Sequence, residues 1–226
     1  MAKIIIIRHG DSIWEQEGRY TGWSDVPIMA QREYLKHLGS LLLDQHFHID
    51  IVFTSLLERS IVSSWEVLHN MYRSWVPEVH DWRLNPRHYG VIQGLTYQEA
   101  LLKYPNIEEI KSSWDIRFEA VSIDDERHPS HDRRYAQIPS EQLIAGESLQ
   151  DVCNRVDAMV SDMLMPLLVE GKDILIVAHH DSIKALVRNF TKLSNNDTLS
   201  VNIPLSHAIV LDYDNATQAV TQSIIQ

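Results

Sequence analysis

Ile4-Ile5-Ile6-Ile7-Arg8-His9-Gly10 decides the architecture of this 226-residue chain. Four consecutive β-branched residues predict a strand buried on both faces, as in a parallel sheet covered by helices. An arginine, a histidine and a glycine follow at its carboxyl end, where ligands collect in sheets of that kind. A neutral imidazole held in one tautomer is a competent nucleophile toward phosphorus. A neighbouring guanidinium adds a two-pronged grip on phosphoryl oxygens. Gly10 is expected to let the backbone approach closely.

Further short apolar runs lie at 51–53, 174–178 and 208–211. Helical patterns separate them. Ser55-Leu56-Leu57-Glu58 reads as a capping box ahead of an apolar face made by Leu57, Ile61, Trp65, Leu68 and Tyr72. A second helix begins at Ser148, with Asp151 three residues on. Its apolar positions are Leu149, Val152, Cys153, Val156, Met159, Val160, Met163, Leu164 and Leu167, and Pro166 is expected to kink or end it. Ile183, Leu186, Val187 and Phe190 form a third helical face. Strands alternating with helices predict an α/β fold, three layers α/β/α around a mainly parallel central sheet. No repeat or linker interrupts the chain, so residues 1–226 are expected to form one domain. Residues 115–135, rich in charge and histidine, read as a long excursion over one face.

Two more strand ends carry anion-binding groups. Ala178-His179-His180-Asp181-Ser182 follows one run, and Thr54-Ser55 with Arg59 follows another. The net charge of −11 argues against nucleic acid or an anionic membrane as partner, yet leaves room for a small anion held by clustered arginines. The one cysteine, Cys153, falls on an apolar helical stripe and is read as a core residue. The isoleucine run is too short for a signal peptide, and a cytoplasmic protein is expected.

These motifs resemble the histidine phosphatase superfamily, most closely its cofactor-dependent phosphoglycerate mutases. The resemblance runs through Arg8-His9-Gly10-Asp11-Ser12 with Trp14, Thr21-Gly22-Trp23-Ser24-Asp25-Val26, Thr54-Ser55 with Arg59, and Trp82-Arg83-Leu84-Asn85. It continues through Arg87-His88-Tyr89-Gly90, Gln93-Gly94-Leu95, Asp132-Arg133-Arg134-Tyr135, Glu147-Ser148-Leu149, His179 and Asn202-Ile203-Pro204. It implies phosphorylation of His9, with Arg8, Arg59 and His179 holding the transferring group. It also implies substrate contacts at Ser12, Thr21, Gly22, Arg87 and Tyr89. No metal is implied, 2,3-bisphosphoglycerate is the family's phosphoryl primer, the partner is a small phosphorylated substrate, and relatives are often homodimers.

The departures from the family fall in the same region. The acid glutamate of the mutases is replaced by Pro86. Glu15 stands for an asparagine, Tyr97 for a lysine, Asp115-Ile116 for two arginines, and His180-Asp181 for Gly-Asn; Arg117 is the one cation left near the lost pair. After Tyr213 only thirteen residues follow, where the mutases carry a longer tail over the site. These losses imply phosphomonoester hydrolysis or weak mutase activity, with Asp181 the first candidate for the missing acid and Glu15 the second. The alternative is a catalytically silent paralogue that binds a phosphorylated ligand or a protein partner. His128 and His131 read as solvated loop residues rather than metal ligands.

Overall fold

A computed structural model describes residues 1–30 and 32–226, and in it the isoleucine run lies inside strand β1 (Ala2–Arg8). The four isoleucines alternate between two cores, as the period of two in a strand requires. Ile4 and Ile6 enter one cluster, Ile5 and Ile7 the other. All four are essentially inaccessible to water.

The other strands are β2 (Ile51–Thr54), β3 (Glu78–His80), β4 (Ile174–Ala178), β5 (Ala208–Tyr213) and β6 (Val220–Ile225), in sheet order β3-β2-β4-β1-β5-β6. β1 and β2 flank β4 in parallel, and β3 continues the parallel set. β5 runs antiparallel to β1 and to β6. The sheet is therefore mostly parallel, with an antiparallel edge. The residues after Tyr213 supply β6.

The α-helices are α1 (Ile13–Gln16), α2 (Glu33–Asp44), α3 (Glu58–Asn70), α4 (Tyr97–Lys103), α5 (Ile107–Ser112), α6 (Leu149–Met159), α7 (Met165–Val169), α8 (His180–Thr191) and α9 (Asn195–Ser200). α6 and α8 cover the face of Ile4 and Ile6, while α2 and α3 cover the face of Ile5 and Ile7. No helix is long and apolar enough to cross a membrane among the described residues. Residues 115–135 carry only two short 3-10 turns, Pro129–His131 and Arg133–Tyr135.

The Ser148 capping box forms as expected. Its hydroxyl accepts from the Asp151 amide, and the Asp151 carboxylate accepts from the Ser148 amide. The helical run continues past Pro166 to Val169, but the regular α-helix is interrupted just ahead of it. A π-turn over Val160–Leu164 absorbs the register change, and Pro166 then sits in the first turn of α7, where its missing N–H costs nothing.

α3 corrects the sequence reading twice. Its N-cap is Leu57, not Ser55, whose hydroxyl bonds His179 Nε2 (2.7 Å) and accepts from the Leu57 amide (3.2 Å) rather than from an amide of α3. Its buried face is Arg59, Ser60, Ser63, Ser64, Val67 and Leu68, while Trp65 and Tyr72 are 57% and 81% exposed. Small side chains let this helix lie close to the sheet: Ser60 donates to the Val177 carbonyl, and the Gly10 amide donates to Ser63 at 2.8 Å. Leu68→Ala should therefore cost about 2–5 kcal/mol of stability. Trp65→Ala should cost no more than about 1 kcal/mol. Urea unfolding of the two variants checks the orientation, and the reverse order would restore the face drawn from the sequence.

Candidate active site

The register of β1 on β4 sets the site. Arg8 stands opposite Ala178, and the His9 amide donates to the Ala178 carbonyl at 3.0 Å. The next residues on the two strands, His9 and His179, then face each other with ring centroids 4.5 Å apart. Both are buried, at 3% and 1% exposure. β2 ends one strand further on, so the first turn of α3 delivers Arg59 to the same crevice.

Each imidazole is held by a defined partner. His9 Nδ1 lies 2.6 Å from the Gly10 carbonyl, which only accepts, so Nδ1 carries the proton and Nε2 keeps its lone pair. The Ser55 hydroxyl accepts from the Leu57 amide, leaving its own proton for His179 Nε2. His179 Nδ1 is then a protonated donor without a partner among the described residues. Burial drives His9 down to about 4, with Arg59 and Arg8 pressing the same way and Glu15 opposing. Burial and the Arg59 charge also hold His179 well below the ordinary imidazole value. Two neutral histidines therefore sit beside two guanidinium groups at neutral pH.

Arg59 is 2% exposed and donates to the carbonyls of Gly22 (2.6 Å) and Ser24 (2.9 Å). Gly22 has φ +54, and a Cβ there would lie 2.0 Å from Gln93 Oε1, which accepts from the Trp23 amide. A glycine is required at this position for the loop to reach Arg59. Gly10 is different. A Cβ there would meet no protein atom nearer than 3.4 Å, so packing within the protein does not require a glycine at this position.

These groups open into a cavity of roughly 190 Å³. Arg8, His9, Arg59, His179 and Asp181 line it, as do Thr21, Gly22, Arg87 and Tyr89. Ser12 does not. It is fully buried as the N-cap of α1, its hydroxyl accepting from the Glu15 amide. The sequence reading passed over Arg19, Tyr20 and Lys111, which also line the cavity. No local signal marks them, because they reach it from separate loops and helices. Seven buried side-chain polar atoms lack a partner among the described residues, and four belong to this lining: Arg8 Nε, Tyr20 Oη, Thr21 Oγ1 and His179 Nδ1. Unmet polar groups are rare in folded proteins, and their concentration here marks a place that a polar ligand completes.

The acids are constrained. Glu15 Oε1 lies 2.8 Å from Arg8, and Oε2 accepts from the Ser12 amide. Burial would raise this carboxyl, but His9, the Ser12 amide and Arg8 outweigh burial and hold it at about 2. Glu15 is thus a fixed anion and a poor proton donor, which removes it as a candidate acid. Asp181 is also held below its ordinary value. Burial raises it, and His180, Arg87 and Lys184 more than offset that. Pro86 occupies the cavity wall, its carbonyl accepting from Trp23 Nε1 (2.7 Å) and Arg155 (2.8 Å). The buried Arg155–Glu147 pair clamps this loop, since Glu147 also accepts from the His88 amide.

The outer cations are occupied. Arg87 gives its N–H groups to the carbonyls of Glu147, Ile110, Ile116 and Lys111. Arg19 pairs with Glu17 and Lys111 with Glu108. Arg117 is paired with Asp151 at 2.7 Å, away from the cavity.

Comparison with known proteins agrees with this geometry. The sequence model of the histidine phosphatase superfamily (branch 1) matches residues 4–225. A mycobacterial glucosyl-3-phosphoglycerate phosphatase complexed with VO3 superposes with a TM-score of 0.72 at 18% identity, over 99% of this chain and 98% of its own. The α-ribazole phosphatase of Shigella flexneri gives 0.72 at 20% identity, over 99% and 95%. The phosphoglycerate mutase of Bacillus anthracis gives 0.70 at 16% identity, over 99% and 92%. Likeness at these identities concerns the fold.

Glu15 and an oxyanion would compete for Arg8. Glu15→Gln, which keeps the shape, should tighten binding of inorganic phosphate about tenfold, or about 1.4 kcal/mol. Isothermal titration calorimetry checks this, and equal affinity in the two proteins would mean that Glu15 and the anion do not share Arg8.

Proposed function

The chain belongs to the histidine phosphatase superfamily, and from that premise we propose that it transfers phosphoryl groups through a phosphohistidine on His9 and acts chiefly as a phosphomonoesterase. The observation that carries this reading is the neutral His9 Nε2, aimed among Arg8, Arg59 and His179 in a cavity with unmet hydrogen-bonding groups. His9 Nε2 attacks phosphorus, the N–P bond forms, and the bond to the leaving oxygen breaks. Arg8, Arg59 and the His179 Nδ1 proton neutralise the phosphoryl oxygens, which is most of what this chemistry needs. No metal is required. Water then attacks phosphorus, the N–P bond breaks and inorganic phosphate leaves. Asp181 serves the leaving-group side of the cavity, and Thr21, Gly22 and Tyr89 bound the substrate.

Hydrolysis is favoured over mutase turnover by what surrounds this pocket. A bisphosphoglycerate primer carries a second phosphate and a carboxylate. The cations that would grip them are committed to carbonyls or acids, and Tyr97 stands on the cavity wall. The residues present do not fit 2,3-bisphosphoglycerate, so no step is routed through it. The loss of the acid at Pro86 favours the second reading, a silent paralogue that only binds a phosphorylated molecule. The substrate is a small phosphomonoester, and the working form is proposed as a cytoplasmic protein, with a homodimer as its expected assembly.

The wild-type protein should hydrolyse p-nitrophenyl phosphate, and His9→Ala should lower kcat/KM by at least about 10³-fold. A coupled assay with 3-phosphoglycerate should give slower mutase turnover than that hydrolysis. Mutase turnover above the hydrolytic rate would overturn the esterase reading, and inactivity in both assays would favour the silent one.

A further inference from the structure

We propose that His180 is the general acid and base that the wall at Pro86 lacks, and that Asp181 is its positioning residue. The inference rests on the phosphohistidine reading. His180 is the first residue of α8, directly after His179, and it lines the same cavity as His9. Its side chain is 39% exposed, so it meets both substrate and solvent. Nδ1 lies 3.1 Å from Asp181 Oδ1. An ionised carboxylate only accepts, so Nδ1 carries a proton and Nε2 is the nitrogen left to exchange one. A carboxylate that fixes the tautomer of an imidazole and stabilises its cation is a recurrent arrangement in acid–base catalysis.

The other titratable groups of the cavity are unsuited to the task. Proline has no proton to give, and Glu15 is held at about 2. Asp181 is kept ionised by His180, Arg87 and Lys184 against the effect of burial. Burial raises the phenols of Tyr20 and Tyr89. Lys111 is raised by Glu108 and Tyr20 despite burial. Histidine is the side chain whose ordinary titration lies near neutrality. The charged and titratable groups around the pair include Arg87, Lys184, Tyr89 and Cys153, together with the amides that open α8.

In the first step His9 Nε2 bonds to phosphorus as the P–O bond to the leaving group breaks, and the proton on His180 Nε2 passes to that oxygen. In the second, His180 Nε2 takes a proton from water as the water oxygen bonds to phosphorus and the N–P bond breaks. His180 ends protonated and His9 neutral, as at the start.

His180→Gln and Asp181→Asn test this with glycerol 2-phosphate, whose alkoxide must be protonated to leave, and p-nitrophenyl phosphate, whose phenolate need not be. His180→Gln should lower kcat/KM for glycerol 2-phosphate by about 10²–10⁴-fold. For p-nitrophenyl phosphate the loss should be about tenfold or less. The same variant should remove the falling limb of the pH profile with glycerol 2-phosphate. Asp181→Asn, which keeps an acceptor but not the charge, should move that limb to lower pH without abolishing it. His180→Asn should repeat the His180→Gln pattern, and unchanged thermal midpoints should accompany all three. Equal losses on both substrates would overturn the proposal, as would a limb that survives in both His180 variants. A limb lost only in Asp181→Asn would make Asp181 itself the donor. Failure of the wild type to hydrolyse p-nitrophenyl phosphate in a His9-dependent way would overturn the phosphohistidine reading first, and this inference with it.

Discussion

The pairing of β1 with β4 is the constraint on which the site depends. These neighbouring parallel strands end at the same level, with Arg8 across from Ala178. The chain then breaks from the sheet on both, and His9 and His179 emerge side by side. A slip of one residue would turn every isoleucine of β1 to the opposite core and carry His9 away from its partner. The apolar packing on the two faces therefore fixes the geometry of the polar cluster. Ile4 and Ile6 pack against α6 and α8, Ile5 and Ile7 against α2 and α3, and a slip of one residue would draw Lys3 or Arg8 into a core.

The electrostatics follow from that burial. Placing two histidines under the sheet end beside two guanidinium groups keeps both neutral, the form that the proposed nucleophile His9 and the proposed donor His179 need. The cluster then carries the charge of Arg8 and Arg59, with Glu15 as the anion paired to Arg8. That carboxylate caps α1 and restrains Arg8 together. Such an arrangement lowers the attraction for an oxyanion relative to an unopposed pair of arginines. Weaker retention of inorganic phosphate suits a hydrolase, which must release it in every cycle.

What the sequence disclosed depended on how local each signal was. The runs in β1, β2, β4 and β5 were legible because both faces are buried, so every residue is apolar. β6 was not, because Val220–Ile225 lies at an edge with mostly exposed, polar side chains. The box at Ser148 and Asp151 is a contact three residues apart and reads directly. Ser55 offers the same pattern, but a histidine 124 residues away takes its hydroxyl. The face of α3 misled because close packing on the sheet favours serines, leaving Trp65 outside. At the site, His9, Arg8, Arg59 and His179 stand in motifs at strand ends, where position follows from topology. Arg87 shows the limit of such reasoning. It lines the cavity, yet four of its five N–H donors go to carbonyls that no spacing rule reveals.

The central claim is a covalent bond between His9 and phosphorus. The direct measurement is the intact mass of the protein after brief exposure to p-nitrophenyl phosphate and an alkaline quench, which preserves phosphohistidine. Wild type should gain one phosphoryl group that is lost on mild acid treatment, and His9→Ala should gain none. Turnover of the ester without any adduct at short times, or an adduct that persists in His9→Ala, would contradict the account.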